Sequence, residues 1–416
     1  MVETGDIRVD KIMPHLFESW ATLLFEECLE NKSIKFKKLK KKEIKPKGQY
    51  PVIDQGEKFI TGYVDDESDV YAGTLPVIIF GDHTRRIKYV DFKFAVGADG
   101  TKLLHPFEYL HPKFFYFYLN ALNLESQGYS RHYRFLKEIA VPIPSLNEQH
   151  RIVAKLEKLL QKVDACKERL DKIPTILKRF RQSILAAACS GRLTADWREE
   201  HDIEGEWPIC QLGALFTMRN GKSLTVKKRK GGEIPVYGGN GMMGTHEQGN
   251  TKGQVVVIGR VGAQCGNVHF VSGIVWVTDN AISLQAKQEI VPEFYAYFLK
   301  AKHLNMLSGG TGQPYLSQEI LAPIETPLPS LDEQLEIVRC VEALFKIADQ
   351  IEERYKKARA YVDKLTQSIL AKAFRGELVP QNLNDEPASE LLQRIKEERS
   401  KSESNGYAGR IKRKRK

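Results

Sequence analysis

The sequence predicts an α+β fold: two mixed α/β domains separated by two long antiparallel coiled-coil helices, the whole forming an internal pseudo-two-fold repeat. Three observations carry this prediction. Pro144, Ser145, Leu146, Asn147, Glu148, Gln149 recurs as Pro329, Ser330, Leu331, Asp332, Glu333, Gln334, and the match then holds without a gap as far as Gln182–Ala186 and Gln367–Ala371. Inside each copy the apolar residues step by four and three over more than four heptads, the mark of a coiled-coil seam. Ahead of each copy lies a segment rich in β-branched and aromatic residues and punctuated by glycine, which suits short strands with one or two helices.

In chain order, the first domain is expected at 1–143, the first helix region at 144–193, the second domain at 194–327, the second helix region at 328–379, and a C-terminal helix with a basic tail at 380–416. In the first domain, Tyr50, Pro51, Val52 and the run 76–80 read as strands, and Pro112, Phe114, Phe115, Phe117, Tyr118, Leu119 as an aromatic helix. The second domain repeats them faintly: Ile234, Pro235, Val236, then 255–258, then Pro292, Phe294, Tyr295, Tyr297, Phe298, Leu299. The first seam runs Ile152, Leu156, Leu159, Val163, Cys166, Leu170, Ile173, Leu177, Phe180, Ile184. The second runs Ile337, Val341, Leu344, Ala348, Ile351, Tyr355, Ala358, Val362, Leu365, Ile369. Asn147 and Asp332 are candidate caps, Gly191 and Gly376 candidate stops, and Pro174 should kink or split the first helix. Such helices can dimerise between chains, but both partners occur here in one polypeptide, so an intramolecular antiparallel pair is the simpler expectation, with Ala358 expected opposite Val163.

The chain has 416 residues, 42% hydrophobic and 28% charged, enough to bury cores and too long for one ordinary domain. No window nears eighteen consecutive apolar residues, and the N-terminus lacks a basic segment followed by an apolar run, so neither a membrane span nor a signal peptide is expected. The six scattered cysteines suggest thiols in a reducing cytoplasm. Of the net charge of +10, six positives sit at Arg410, Lys412, Arg413, Lys414, Arg415 and Lys416, leaving +4 for the body. Where the charges lie therefore matters more than their sum.

Three chemical signals are weighed, and the first two are set aside. Gly239, Asn240, Gly241, Met242, Met243, Gly244 spells a dinucleotide fingerprint, but the following run 245–253 is polar and glycine-broken where a helix is required. Gly221, Lys222, Ser223 resembles the end of a phosphate loop, yet Phe216 stands where its first glycine belongs. Asp82 followed by Asp91 and Lys93 resembles a magnesium nuclease constellation; the other reading is a strand alternating around Val90, Phe92 and Phe94. No Pro-Pro dipeptide, metal-spaced histidine pair or Ser/His/Asp set is present. The chain reads as a binder, with a stand-alone metal-dependent DNA nuclease as the alternative.

Loops supply what DNA reading needs, cations for phosphates and Arg, Asn and Gln for base edges. In the first half these are His83, Arg85, Arg86 and Lys88, then Arg131, His132, Tyr133 and Arg134. In the second they are Arg219, Asn220, Lys222, Asn240, Arg260, Gln264, Gln313 and Tyr315. The lysine-rich stretches Lys35 to Lys47 and Lys227 to Lys230 are candidate backbone anchors.

With the repeat, the heptads and these clusters together, the chain resembles the specificity subunit of bacterial type I restriction-modification enzymes. The residues carrying the resemblance are the doubled Pro-Ser-Leu-Asx-Glu-Gln openings and the closings Gln182–Ala186 and Gln367–Ala371, with Gly191, Arg192, Leu193 and Gly376, Glu377, Leu378. Asp385, Glu386, Pro387, Ala388, Ser389, Glu390, Leu391, Leu392 and Gly310, Thr311, Gly312, Gln313, Pro314, Tyr315, Leu316 add to it. The first half departs from the last pattern, reading Gly128, Tyr129, Ser130, Arg131, His132, Tyr133. The resemblance implies target recognition domains on double-stranded DNA and helices that dock methyltransferase subunits. It also implies S-adenosylmethionine, ATP and magnesium on the methyltransferase and restriction/translocase subunits, with no cofactor on this chain.

Overall fold

The computed structural model describes residues 20–30, 36–97, 100–122, 124, 130–226, 231–309, 313–382, 384–394 and 396–397. Tyr129, Lys35, Lys227 to Lys230, Gly310 to Gly312 and the basic tail lie outside them. Two compact units emerge: unit 1 is Met1–Glu168 with Arg359–Lys416, and unit 2 is Arg169–Ala358. This division differs from the five sequence segments, because each unit takes the beginning of one long helix and the end of the other.

Unit 1 contains β1 (Ala21–Leu24), β2 (Lys38–Leu39), β3 (Tyr50–Ile53), β4 (Gly62–Val64), β5 (Val77–Gly81), β6 (Ile87–Val90), β7 (Ala95–Gly97), β8 (Thr101–Leu104), α1 (Pro112–Ala121), α2 (Tyr133–Leu136) and β9 (Ala140–Ile143). They form a β1-β9 pair, a four-stranded sheet β2-β7-β3-β4 and a three-stranded sheet β6-β5-β8. Proline at its first turn starts α1, and the aromatic run behind it makes the core. Phe114, Phe115 and Tyr118 pack with Phe25, Phe80, Ile152 and Leu156, and with Leu370, Ala373 and Phe374.

The long helix α3 (Leu146–Cys189) enters unit 2, which continues with α4 (Ala195–Glu200), β10 (Ile209–Gln211), α5 (Leu212–Leu215), β11 (Phe216–Asn220), β12 (Ile234–Gly238), β13 (Gly241–His246), β14 (Thr251–Gly259), β15 (Val268–Val277), β16 (Ala281–Ala286), α6 (Pro292–Ala301), α7 (Gln318–Leu321) and β17 (Glu325–Pro327). The second long helix, α8, spans Leu331–Phe374 and returns the chain to unit 1. Strands β10 and β17 pair, repeating β1 and β9, and a six-stranded sheet runs β11-β16-β14-β15-β12-β13. Helix α6 repeats α1, and its Phe294, Tyr295 and Phe298 pack with Ile184, Ala188, Ile337 and Val341.

The repeated hexapeptide is a joint. Ser145 Oγ accepts from Glu148 N at 3.1 Å and Ser330 Oγ from Glu333 N at 3.3 Å. The caps are thus the serines rather than Asn147 and Asp332, since a cap must reach the third helical N–H. Gln149 Oε1 accepts from His111 N at 2.7 Å, and Gln334 Oε1 accepts from Val291 N at 2.8 Å. Each glutamine therefore ties the start of a long helix to the start of the aromatic helix. Gly191 and Gly376, with φ of 74° and 75°, turn the chain just past each helix end. Pro174 lies inside α3 and does not split it.

Within unit 1 the helices run antiparallel, with Lys167 Nζ donating to Thr366 Oγ1 at 3.3 Å. Within unit 2 Arg181 pairs with Asp349 at 2.7 Å and Glu352 at 2.9 Å. Stepping four residues each way from Lys167 and Thr366 sets Val163 level with Leu370 rather than with Ala358. Ile152, Leu156, Val163, Ile337, Val341 and Val362 are buried, and Leu159, Leu170 and Leu344 are half-buried. Ile351 is 39% exposed and Cys166 is exposed, so both leave the predicted seam. They occupy the same position of the repeat, two heptads past its first seam residue, where a 3.6-residue helix has drifted about 40° from a strict heptad line.

Candidate nucleic-acid interface

In unit 1 the two cationic clusters are brought together by one carboxylate. Asp82, only 3% exposed, follows β5 and is clamped by backbone: its carbonyl accepts from His132 N at 2.8 Å, its Oδ1 from Tyr133 N at 2.9 Å, and its own N–H donates to Gly100 O at 2.8 Å. The turn carrying His83, Arg85 and Arg86 is thereby fastened to the segment carrying Arg131 to Arg134. Arg86, Arg131 and Arg134 are exposed. Arg86 pairs with Glu57 at 3.0 Å, and the Arg134 guanidinium lies 4.7 Å from the Phe135 ring centre. Arg85, at a φ of 61°, donates to Leu124 O at 2.5 Å, and half-buried His83 donates its N–H to Gln55 Oε1 at 3.1 Å.

Three residues of the predicted set are built into the fold. Lys88 is 5% exposed and His132 2%, so neither presents its charge or ring to a ligand. The Lys88 ammonium donates to main-chain carbonyls, and burial pushes its pKa down. His132 Nδ1 lies 3.1 Å from Asp82 O. Tyr133 packs its ring on Phe25 and Phe80.

The same geometry removes the nuclease alternative. Asp82 is engaged by backbone at the Gly81 end of the β5–β6 hairpin, while Asp91 follows Val90 at the end paired with Val77, and Lys93 is drawn to Glu67 at 3.3 Å. Among the described residues no group of three or more His, Cys, Asp or Glu is placed to hold a metal. The lysine stretch lies on and after β2. Lys37 is pinned by Asp69 at 2.7 Å and Glu43 at 3.4 Å, while Lys38, Lys40, Lys41, Lys42 and Lys47 are exposed.

In unit 2 the candidates converge from four segments. Arg219 and Asn220 end β11 opposite Ser283 and Ile282, and Lys222 N donates to Val277 O at 2.9 Å. Asn240 sits in the β12–β13 turn, where a Cβ on neighbouring Gly239 would stand 3.3 Å from Gly259 Cα and 3.6 Å from Gln264 Cβ. Arg260 N donates to Asn280 O, and its carbonyl accepts from Leu316 N, both at 2.8 Å. Gly262 N donates to Pro314 O at 3.0 Å, and Val261 bridges Tyr315, which brings Gln264, Gln313 and Tyr315 to one place. Arg219, Asn220, Lys222, Asn240, Gln264, Gln313 and Tyr315 are exposed and Arg260 half-exposed. Gly239–Gly244 is a hairpin turn entering β13 rather than a helix, so the pyrophosphate-binding helix end is missing there. What assembles is a surface of guanidinium, ammonium, amide and phenol groups on loops, the chemistry that pairs with phosphates and base edges.

The family described as Type I restriction modification DNA specificity domain matches this chain twice, over residues 29–175 and 204–359. The chain belongs to the type I restriction-modification specificity subunits. It is 36% identical over 300 residues to the StySPI specificity subunit of Salmonella potsdam, an alignment covering 64% of this chain and 65% of that protein. To the EcoBI specificity subunit of Escherichia coli it is 33% identical over 356 residues, covering 70% and 72%. In fold it is similar to the HsdS subunit from Thermoanaerobacter tengcongensis, at a TM-score of 0.56 and 18% identity, covering 87% of this chain and 98% of that one. A chain from a study of complex assembly and conformational transition of the type I R-M system superposes at 0.66 with 17% identity, covering 87% and 99%. No helix among the described residues is long and apolar enough to cross a membrane.

The sequence signal passed over was in the repeat itself. Trp20 and Trp207, each just before a domain's first paired strand, stand by Glu148 and Glu333: Trp207 Nε1 donates to Glu333 at 2.8 Å, and the nearby Trp20 holds the Glu148 pKa back against the rise that burial imposes.

Proposed function

We propose that this chain is the non-catalytic recognition subunit of a cytoplasmic type I restriction-modification complex, each unit reading one half of a bipartite, asymmetric DNA target. The supporting observation is the duplication: one family domain occurs twice, and each copy presents a polar loop cluster built from different residues. Identical copies would read a palindrome; diverged ones read two different short sequences at a fixed separation. The long helices set that separation and dock methyltransferase subunits. Those subunits carry S-adenosylmethionine and flip the target adenine, and restriction/translocase subunits carry ATP and magnesium.

The test is methylome sequencing of cells expressing this chain with its methyltransferase subunits. A bipartite target is expected. Arg131→Ala with Arg134→Ala should relax base preference in one half only, and Arg219→Ala with Gln313→Ala in the other only. Equal relaxation of both halves by either pair would overturn two-reader recognition.

A further inference from the structure

A lysine that the fold withholds from solvent points to an additional part of the unit 1 reading surface. The Lys88 ammonium donates to Asp54 O at 2.8 Å and Lys58 O at 2.6 Å, with Phe59 O at 3.4 Å and the Asp54 carboxylate at 3.9 Å. Every one of these groups belongs to the loop that follows β3. A buried ammonium must replace its whole hydration shell with fixed acceptors, so this loop follows the path that Lys88 dictates.

The same loop grips the turn after β5. Gln55 Oε1 accepts from His83 N at 3.1 Å, Gln55 O accepts from Thr84 Oγ1 at 2.5 Å, and Glu57 holds Arg86 at 3.0 Å. The approach is close enough that a Cβ on Gly81 would meet Thr84 Oγ1 at 2.2 Å and Gln55 Cβ at 2.8 Å. Glu57, Lys58 and Phe59 face outward, exposed, and the Phe59 ring lies 6.2 Å from that of Phe92. A cation, a carboxylate and an apolar ring are the groups that meet a phosphate, a cytosine amino group and a thymine methyl group.

We propose that the loop Asp54–Phe59 is a second DNA-reading element of unit 1, with Lys58 on a phosphate, and that Lys88 is the positioning residue that holds it in register with the turn Gly81–Arg86. This rests on the DNA-reading function above. The two lysines then have separable signatures, since loss of the phosphate contact alone changes salt dependence, whereas loosening the loop also costs base discrimination.

The test uses the full chain with its methyltransferase subunits and duplexes carrying the mapped target, with each half-site altered in turn. Lys58→Ala should make the slope of log affinity against log salt shallower by about 0.9 and keep base preferences. Lys88→Met should lower first-half discrimination roughly ten-fold and, by loosening the loop that carries Lys58, make the slope shallower by up to about 0.9, the second half staying intact and Lys88→Arg restoring part of both losses. Gln55→Ala, which spares the buried ammonium, should give the same selective loss even if Lys88→Met does not fold. Intact first-half discrimination in Gln55→Ala, an unchanged slope in Lys58→Ala, or intact first-half discrimination in a folded Lys88→Met would each overturn the proposal. If Arg131→Ala with Arg134→Ala also leaves the first half-site untouched, the DNA-reading function of unit 1 itself falls.

Discussion

Glu148 and Glu333 hold the same place in the repeat and are both buried, at 3% and 1% exposure, yet replacing each by glutamine should have opposite effects. Glu333 is fully engaged: Thr194 Oγ1 donates to it at 3.0 Å, Trp207 Nε1 at 2.8 Å, and Arg198 stands 3.7 Å away. An amide can accept on one side only and turns an N–H toward a donor on the other. The loss is one charge-assisted hydrogen bond and one buried donor left unmatched, together about 3 kcal/mol, or roughly 6–12 °C in melting for a unit of this size. Glu148, by contrast, has a buried Oε1 without a partner, and burial raises its pKa, held back by Trp20 and Arg151. Between the unfolded and the raised folded pKa the native state binds more protons, so its stability falls as pH rises through that window. At pH values above the raised folded pKa the wild-type carboxylate is held charged at a cost that Glu148→Gln removes, and the variant should there be at least as stable. That advantage should vanish below about pH 4, where wild type is protonated in both states. Denaturant melts of the full chain, read by hydrogen exchange on peptides from each unit, measure both effects. Equal losses at the two positions, or a Glu148→Gln effect independent of pH, would refute the reasoning.

Seven residues added to each long helix at the level of the Lys167–Thr366 contact preserve the seam and add about 10 Å of helix. The spacer read by methylome sequencing should then grow by about three base pairs, and an active variant with the original spacer would rule out the helices as a ruler. Ile337→Ala, at a fully buried position, should cost about 2–5 kcal/mol in denaturant melts, whereas Ile351→Ala should cost less than about 1 kcal/mol. Neutralising Lys40, Lys41 and Lys42 should flatten the salt dependence of DNA binding by about one unit for each phosphate no longer neutralised and leave half-site preference unchanged, measured by titration at several salt concentrations.

The large features were legible because they depend on periodicity. The doubled hexapeptide, the aromatic helices after Pro112 and Pro292, and the glycine stops all stand where their spacing puts them. The failures are local. Asn147 and Ser145 are both good capping residues, and only the reach to Glu148 N separates them. Lys88 alternates in phase with buried Val90 along β6, so period two already placed it inside; its charge argued otherwise until three carbonyls were found around it. In unit 2 the contributing loops are far apart in sequence, and only strand pairing shows that Asn240, Arg260 and Gln313 share one surface.

The division of the chain also sets an order of completion. Unit 2 is one continuous stretch, whereas unit 1 needs both 1–168 and the residues from 359 onward. At a synthesis rate of roughly 5–20 residues per second, the first-made half waits on the order of 10–40 s for Leu370, Ala373 and Phe374 to cover Phe114, Tyr118 and Leu156. During that time its aromatic helix stands partly uncovered while unit 2 already has all its strands. Of the two units, the one begun first is the last to close, and the step that closes it is the arrival of the end of the second long helix.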